Sequence, residues 1–443
     1  MRTLTLRERE AIGVGPGSEL TDSDAVAFAR LESSFPAGTI SWEHRKIRFG
    51  PFCGVLRAGD VVVELLPKID QAREPDDSAR GVLVAMLRST GALTVSKAGE
   101  SMLGQQRMHL LDIFILDFCH RVNAALRGGA IARYQEHNEN LKALRGRIRL
   151  TDHLRLNAFD QSRLFCGYDE RTTDNPYNRA LKGVLGRLLP QTVSPQVRAH
   201  VAALLHRFDE VARVEVTPLD IENLAFDRMV QRWQPVFERA KWLLQGLFPD
   251  VRVGRMDGIC LLFNIERLFE AFVGSKLRLA WQSQSYERFR VRYQGPQLSL
   301  AQSEAGDAFL LRPDIVVLNG ERVVRIFDAK WKRLDATRPN SGISPSDVYQ
   351  LTSYASRYQC GRVALVYPAS DTCRPGLIDT FTLEIPNSPI LEIHAVDVRA
   401  LAKGAPLAME LRPYPSGVDG LYAEDLIVKI GGSRRRDDRV HGA

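Results

Sequence analysis

The residues with the clearest capacity for chemistry lie between positions 312 and 330. Asp314 follows Arg312-Pro313, and Asp328-Ala329-Lys330 closes an apolar run. Side chains alternate along a strand, so Asp328 and Lys330 project from one face. Two carboxylates suit a hard divalent cation such as Mg²⁺, with Mn²⁺ as the alternative. Such a cation takes oxygen ligands and keeps positions for water and phosphate. It polarises a phosphodiester and lowers the pKa of a bound water. A lysine at its side orients that water or stabilises developing negative charge. The candidate metal ligands are therefore Asp314, Asp328 and the carbonyl of Ala329, with Lys330 as the charged partner.

Two flanking segments add to this set. Glu266 and Glu270 are spaced i, i+4 and share a helix face. Glu270 sits between Leu268-Phe269 and Phe272, next to a core-facing stripe, and is a candidate auxiliary acid. The blander alternative is an exposed acid beside the core. Gln350 and Tyr354 lie one helical turn apart and could contact a nucleic-acid strand or brace the acids. Arg145, Arg147 and Arg149 alternate with Ile148 and Leu150, so a strand would place three guanidiniums on one face. They are candidates for phosphate contacts or for a partner surface, the alternative being solvated arginines.

The elements that must position these residues can be read coarsely. Residues 1–104 form a β-rich N-terminal domain with short β-type runs and a hairpin turn at Arg57-Ala-Gly-Asp60. Residues 105–250 read as a mainly helical, basic middle region. Residues 251–400 are mixed, with a helix expected over 258–279, strands over 309–318 and 322–331, and a helix over 346–358. Residues 401–443 form an extension ending in a tail, GGSRRRDDRVHGA, expected to be disordered. The class is α+β and multidomain. Between the two aspartates lies Asn319-Gly320, a strong hairpin signal. A two-residue loop at that dipeptide would pair Asp314 with Arg325 and put the acids on opposite faces. The spacing therefore predicts a wider loop, about 319–323, or a bend near Pro313 that turns Asp314 inward.

Composition narrows the function classes. The chain has 443 residues, 44% hydrophobic and 26% charged, ordinary values for a soluble globular protein. The longest apolar run is broken by Asp112 and Asp117, so no membrane span is expected. The N-terminus lacks a signal-peptide pattern. Six scattered cysteines with no Cys-x-x-Cys read as reduced thiols and a cytoplasmic setting. From Arg121 to His200, twelve Arg and two Lys stand against seven acids, so that stretch carries the whole net charge of +7. A basic field of this kind favours phosphate-rich partners such as DNA. The nine histidines show no zinc spacing, and no G-x-S-x-G motif occurs.

The order helix Glu, strand Asp, strand Asp-x-Lys, helix Gln-x-x-x-Tyr resembles the PD-(D/E)xK nuclease superfamily. Six blocks resemble the McrC family more closely. They are Leu65-Leu-Pro-Lys-Ile69, Glu139-Asn-Leu-Lys-Ala-Leu-Arg-Gly-Arg-Ile148, Leu268-Phe-Glu-Ala-Phe-Val273, Arg312-Pro-Asp-Ile-Val316, Phe327-Asp-Ala-Lys-Trp331 and Asp347-Val-Tyr-Gln350. They run in order from about residue 50 to 370. The resemblance implies the nuclease subunit of an McrBC-type modification-dependent restriction system. It implies a C-terminal α/β nuclease core, and DNA cleavage only alongside a hexameric McrB-like AAA+ GTPase whose hydrolysis the subunit stimulates. It also implies that the N-terminal β-rich part docks on the motor. The sequence fits this division of labour, having no Walker A motif and no Gly-Lys dipeptide. Two other readings compete: a non-cleaving subunit that activates an AAA+ partner, and a DNA-repair nuclease acting alone.

Overall fold

The computed structural model describes residues 2–69, 75–93, 108–160, 162–247, 258–282 and 289–407. The expected domain limits at 104 and 251, and the expected tail, lie outside the described residues.

The chain opens with β1 (Arg2–Arg7), β2 (Ala11–Gly13), helix α1 (Asp22–Leu31) and the strands β3 (Ile40–Glu43), β4 (Lys46–Phe49), β5 (Phe52–Ala58) and β6 (Val61–Leu66). Helix α1 starts where Thr21 and Asp24 form a reciprocal capping box, which satisfies otherwise orphaned backbone donors. Strand β6, VVVELL, is buried along its whole length. It is covered on both edges, by β1 in parallel and by β5 antiparallel. Two long helices follow, α2 (Asp76–Ser89) and α3 (Leu110–Leu126).

The middle region combines helices with a three-stranded sheet, of which the sequence suggested only the short strand near Arg147. Strands β7 (Arg133–Leu141) and β8 (Arg147–Ile148), helix α4 (Leu150–Leu156) and strand β9 (Leu164–Thr172) come first. The sheet order is β7-β9-β8. Helices α5 (Pro176–Leu188), α6 (Pro195–His206), α7 (Pro218–Glu222) and α8 (Gln234–Leu247) come next.

Strand β10 (Gly258–Asn264) opens the last part. A helix was expected from 258, but the run GICLLFN pairs antiparallel with β5 and completes the N-terminal sheet in the order β1-β6-β5-β10. A short apolar run does not declare its period, so a partner far away in sequence decides. The close approach depends on Gly54, whose φ is +138° and whose Cβ, if present, would meet the Leu261 carbonyl at 2.0 Å. Helix α9 (Ile265–Gln282) begins only after Asn264, whose Oδ1 accepts from the Arg267 amide at 3.0 Å.

The remaining strands are β11 (Phe289–Tyr293), β12 (Leu298–Ser303), β13 (Gly306–Leu311), β14 (Ile315–Asn319) and β15 (Arg322–Ala329). Helix α10 (Pro345–Arg357) precedes β16 (Arg362–Pro368), β17 (Gly376–Thr382) and β18 (Ile390–Val396), and α11 (Val398–Ala402) closes the described chain. A six-stranded mixed sheet has the order β11-β14-β15-β16-β18-β17. Strands β15, β16 and β18 are parallel neighbours. Parallel neighbours need a crossover, and α10 supplies the one between β15 and β16. One face of this sheet joins α2, α3, α5, α6, α8 and α9 in a single buried cluster that includes Phe269, Phe272 and Phe327. The other face packs on α10 through Ile326, Leu351 and Tyr354. The sheet is thus held from both sides, and the carboxyl end of β15 emerges between α9 and α10.

Candidate functional site: two acids and a lysine at the end of a parallel strand

The β14–β15 hairpin is tight, not wide. Asn319 pairs with Arg322 across Gly320-Glu321, and Gly320 takes φ +63°, the backbone sign that a two-residue hairpin loop needs at its first position. The loop expected over 319–323 is therefore corrected. What restores the register is a bulge between Val317 and Leu318 in the pairing: Leu318 faces Val323, while Val317 faces Arg325. One extra residue on β15 flips the parity of everything beyond it. Ile315 then pairs with Phe327, so the next step brings Asp314 beside Asp328. The chain also bends at Asp314.

The centre is built around that pair. Asp314 Oδ2 accepts from the Ala329 amide at 3.1 Å. Asp328 is fully buried, its Oδ2 2.6 Å from Lys330 Nζ. That separation is an ion-pair distance without the angle of a full hydrogen bond. Asp328 Oδ1 has no hydrogen-bond partner among the described residues. Lys330 Nζ also donates to Gln350 Oε1 at 3.1 Å, and Gln350 Nε2 donates to the Tyr354 hydroxyl at 2.8 Å. Tyr354 in turn donates to the Arg312 carbonyl at 3.1 Å. Gln350 and Tyr354 thus form a chain from the lysine to the residue two before Asp314, which braces the acids.

Electrostatics mark the site further. Burial, then the Asp328 and Glu270 charges, push the Asp314 carboxyl well above the usual carboxylate range. Asp328 is raised by burial and by Asp347, although Lys330 opposes this. Glu270 is raised by burial and by Asp328. Burial alone would lower Lys330, but the Asp328 carboxylate outweighs it and holds the ammonium up. Like charges crowded in a low-dielectric pocket produce this pattern.

Other candidates fall elsewhere. Glu266 pairs with Arg9 at 2.7 Å. Arg145, Arg147 and Arg149 lie in or beside the β7-β9-β8 sheet, not at this centre, and do not form one strand face. Only Arg147 lies in β8; Arg149 precedes α4 and pairs with Asp152 at 3.1 Å. The Arg145 guanidinium stacks 3.9 Å from the Tyr168 ring and pairs with Glu170 at 3.2 Å. Sequence reasoning passed over Asp347, which is buried and accepts from Lys332 Nζ at 3.1 Å and from the Tyr367 hydroxyl at 3.5 Å. Its place in the first turn of α10, three residues before Gln350, was the available signal.

The donor set can be tested for a metal. It is all oxygen, as hard divalent cations require. A buried carboxylate oxygen without a partner, Asp328 Oδ1, is the kind of group that a cation satisfies. Among the described residues no three His, Cys, Asp or Glu side chains form a metal-sized group. A cation here would thus rest on two carboxylates, a backbone carbonyl and water.

The fold and this centre define a mixed α/β chain with an acid–acid–lysine cluster at the end of a parallel strand. The family of McrBC 5-methylcytosine restriction system components matches residues 47–368, and the chain belongs to it. No curated protein matches the sequence. A chain of a solved half-complex, from a tetradecameric assembly of Thermococcus gammatolerans McrB AAA+ hexamers with bound McrC, is similar in fold. The TM-score is 0.71 and the identity 18%, over 91% of this chain and 96% of that one. A chain of the Thermococcus gammatolerans McrBC complex gives a TM-score of 0.51 and 19% identity, covering 62% and 87%. No helix among the described residues is long and apolar enough to cross a membrane.

Proposed function

We propose that this chain is the nuclease subunit of an McrBC-type system, a McrC-like phosphodiesterase that cuts DNA in a complex with an AAA+ GTPase. The observation that carries the reading is the convergence of Asp314, Asp328 and Lys330, braced by Gln350 and Tyr354, at one strand end. A McrB-like hexamer is the partner in this reading, in keeping with the assemblies whose chains share the fold.

Asp314, Asp328 and the Ala329 carbonyl would hold Mg²⁺, which supplies charge neutralisation at the scissile phosphate and a more acidic water. Lys330 Nζ, held between Asp328 and Gln350, would stabilise the charge that develops on the phosphate oxygens. Burial and crowding raise the Asp314 and Asp328 carboxyls, so a cation held here would compete with protons for them. Glu270, half-buried and raised by burial and the Asp328 charge, would serve as the auxiliary acid. Tyr354 and Gln350 limit the lysine to one position, which lowers the cost of organising the site during the reaction.

The test is cleavage of DNA by the full complex with Mg²⁺ and nucleotide. The wild type should cut, and Lys330→Ala and Asp328→Ala should not, while both retain stimulation of the partner's hydrolysis. Undiminished cutting by either purified variant rejects the assignment. Cutting without any partner supports the stand-alone nuclease instead.

A further inference from the structure

A second buried carboxylate lies outside this centre yet touches the segment that carries it. Glu8 directly follows β1 and is 4% exposed. Its Oε1 accepts from the Trp331 indole N–H at 2.8 Å and from the Lys68 amide at 3.0 Å. Its Oε2 lies 3.9 Å from Cys53 Sγ. One side chain therefore joins three segments separated in sequence, two of them in the N-terminal part and one immediately after Lys330.

Trp331 is well placed to transmit this. It is the residue after Lys330, and its ring meets Phe269 edge-on with centroids 5.1 Å apart. Phe269 precedes Glu270 on α9. Arg333 donates to the Lys68 carbonyl at 3.2 Å. Arg9, next to Glu8, pairs with Glu266, one turn before Glu270. The N-terminal strand end thus grips both elements that present acids and lysine to the centre.

The lysine needs such a hold. A four-carbon stem lets an ammonium wander, so its direction depends on the backbone on both sides. On one side the Lys330 amide donates to the Val366 carbonyl at 2.9 Å. On the other, the next residue is fixed by the Glu8–Trp331 hydrogen bond. We propose that Glu8 is a positioning residue for Lys330, acting through Trp331, and that it couples the N-terminal sheet to the hydrolytic centre. The inference rests on the reading of Asp314, Asp328 and Lys330 as that centre.

The test uses the full chain with its AAA+ partner, nucleotide, Mg²⁺ and DNA. Glu8→Gln keeps the Oε1 acceptor, whereas Glu8→Ala removes it and Trp331→Phe removes the donor while keeping a ring. Misplacing a reacting group by about 1 Å costs on the order of 100-fold. Glu8→Ala and Trp331→Phe should lower kcat by roughly 10- to 100-fold with KM for DNA unchanged, and Glu8→Gln should restore it. The double variant should be no worse than either single one, because both remove the same bond. Folded single variants that cut at the wild-type rate, or losses that multiply in the double variant, overturn the proposal. If Glu8→Ala does not fold, Trp331→Phe decides. Hydrogen exchange over residues 326–333 gives a readout free of activity. Protection should fall in Glu8→Ala and Trp331→Phe but not in Glu8→Gln, and unchanged protection overturns the coupling. A wild type without metal-dependent cleavage would overturn the hydrolytic reading alone, since exchange still judges the coupling.

Discussion

Strand β15 carries two buried charges three residues apart, and they live in opposite electrostatic conditions. Arg325 and Asp328 point to opposite faces of the sheet. Arg325 meets Glu392, whose other contacts are Arg362 at 2.7 Å and His394 Nε2 at 2.9 Å. Burial works against the Glu392 charge, but the His394 hydrogen bond and the arginines outweigh it and hold the carboxyl at about 2. Asp328 and Asp314 share one lysine with Glu270 and Asp347 nearby, and burial pushes both aspartates up. One cluster is balanced by cations from the same sheet. The other has more acid than its protein partners neutralise. A surplus of buried like charge costs stability and is the pattern that functional sites carry.

The largest expected effect separates the two by activity. Asp328→Asn should lower cleavage by the full complex by on the order of 100-fold or more, the scale on which electrostatic groups act in a site. Metal-free Asp328→Asn should melt no lower than the wild type, as calorimetry would show. Loss of both activity and stability would place Asp328 with the balanced cluster.

Glu392→Ala tests the balanced cluster. Removing one partner of a buried ion pair costs about 3–5 kcal/mol, read as a lower denaturant midpoint. The activity of the remaining folded fraction should hold. A stable Glu392→Ala protein would show that this cluster is as dispensable as a surface pair.

The pH response should distinguish the clusters by sign. Glu392 has its pKa lowered from 4.5 to about 2, so its contribution is complete above pH 4.5 and disappears as pH falls through about 2. Asp314 has its pKa raised from 3.8, so the metal-free folded state loses stability as pH rises from about 4 through that raised value. Mg²⁺ should therefore raise the melting temperature more at pH 8 than at pH 5. A stabilisation independent of pH would break the assignment of Asp314 as a ligand. In the same direction, Asp314→Asn should stabilise the metal-free protein by roughly 1 kcal/mol at pH 8, as relief of strain at functional sites commonly does.

The smallest effect belongs to the exposed charges of the β7-β9-β8 sheet. Arg147 is exposed, and its nearest acid is Glu136 at 3.8 Å. Arg147→Ala should change stability by less than about 0.5 kcal/mol. Its influence, if the basic sheet meets phosphate, should appear as weaker DNA binding and a shallower salt dependence. A large melting shift would mean that this arginine is structural.

The residue types of the centre were legible because chemistry constrains them: Asp-x-Lys on a strand, an acid before it, a carboxamide and a phenol one helical turn apart. Helix α10 was legible as the helix expected over 346–358, where Ser344 precedes Pro345 at the first helical position. The bulge between Val317 and Leu318 left no mark in composition, because it is a property of two paired strands. Strand β10 read as a helix for the same reason, since its partner β5 lies some two hundred residues earlier. Arg145, Arg147 and Arg149 showed an alternation that suggested one strand, but the pairing with β9 covers only Arg147 and Ile148.

Local chemistry, then, set which side chains could act. Whether Asp314 and Asp328 would meet was decided by one bulge, and the Lys330 ammonium is held beside them by Gln350, a contact made across the fold. Short-range preferences act through neighbours in the chain, whereas a site of this kind forms only when distant strands agree on a register.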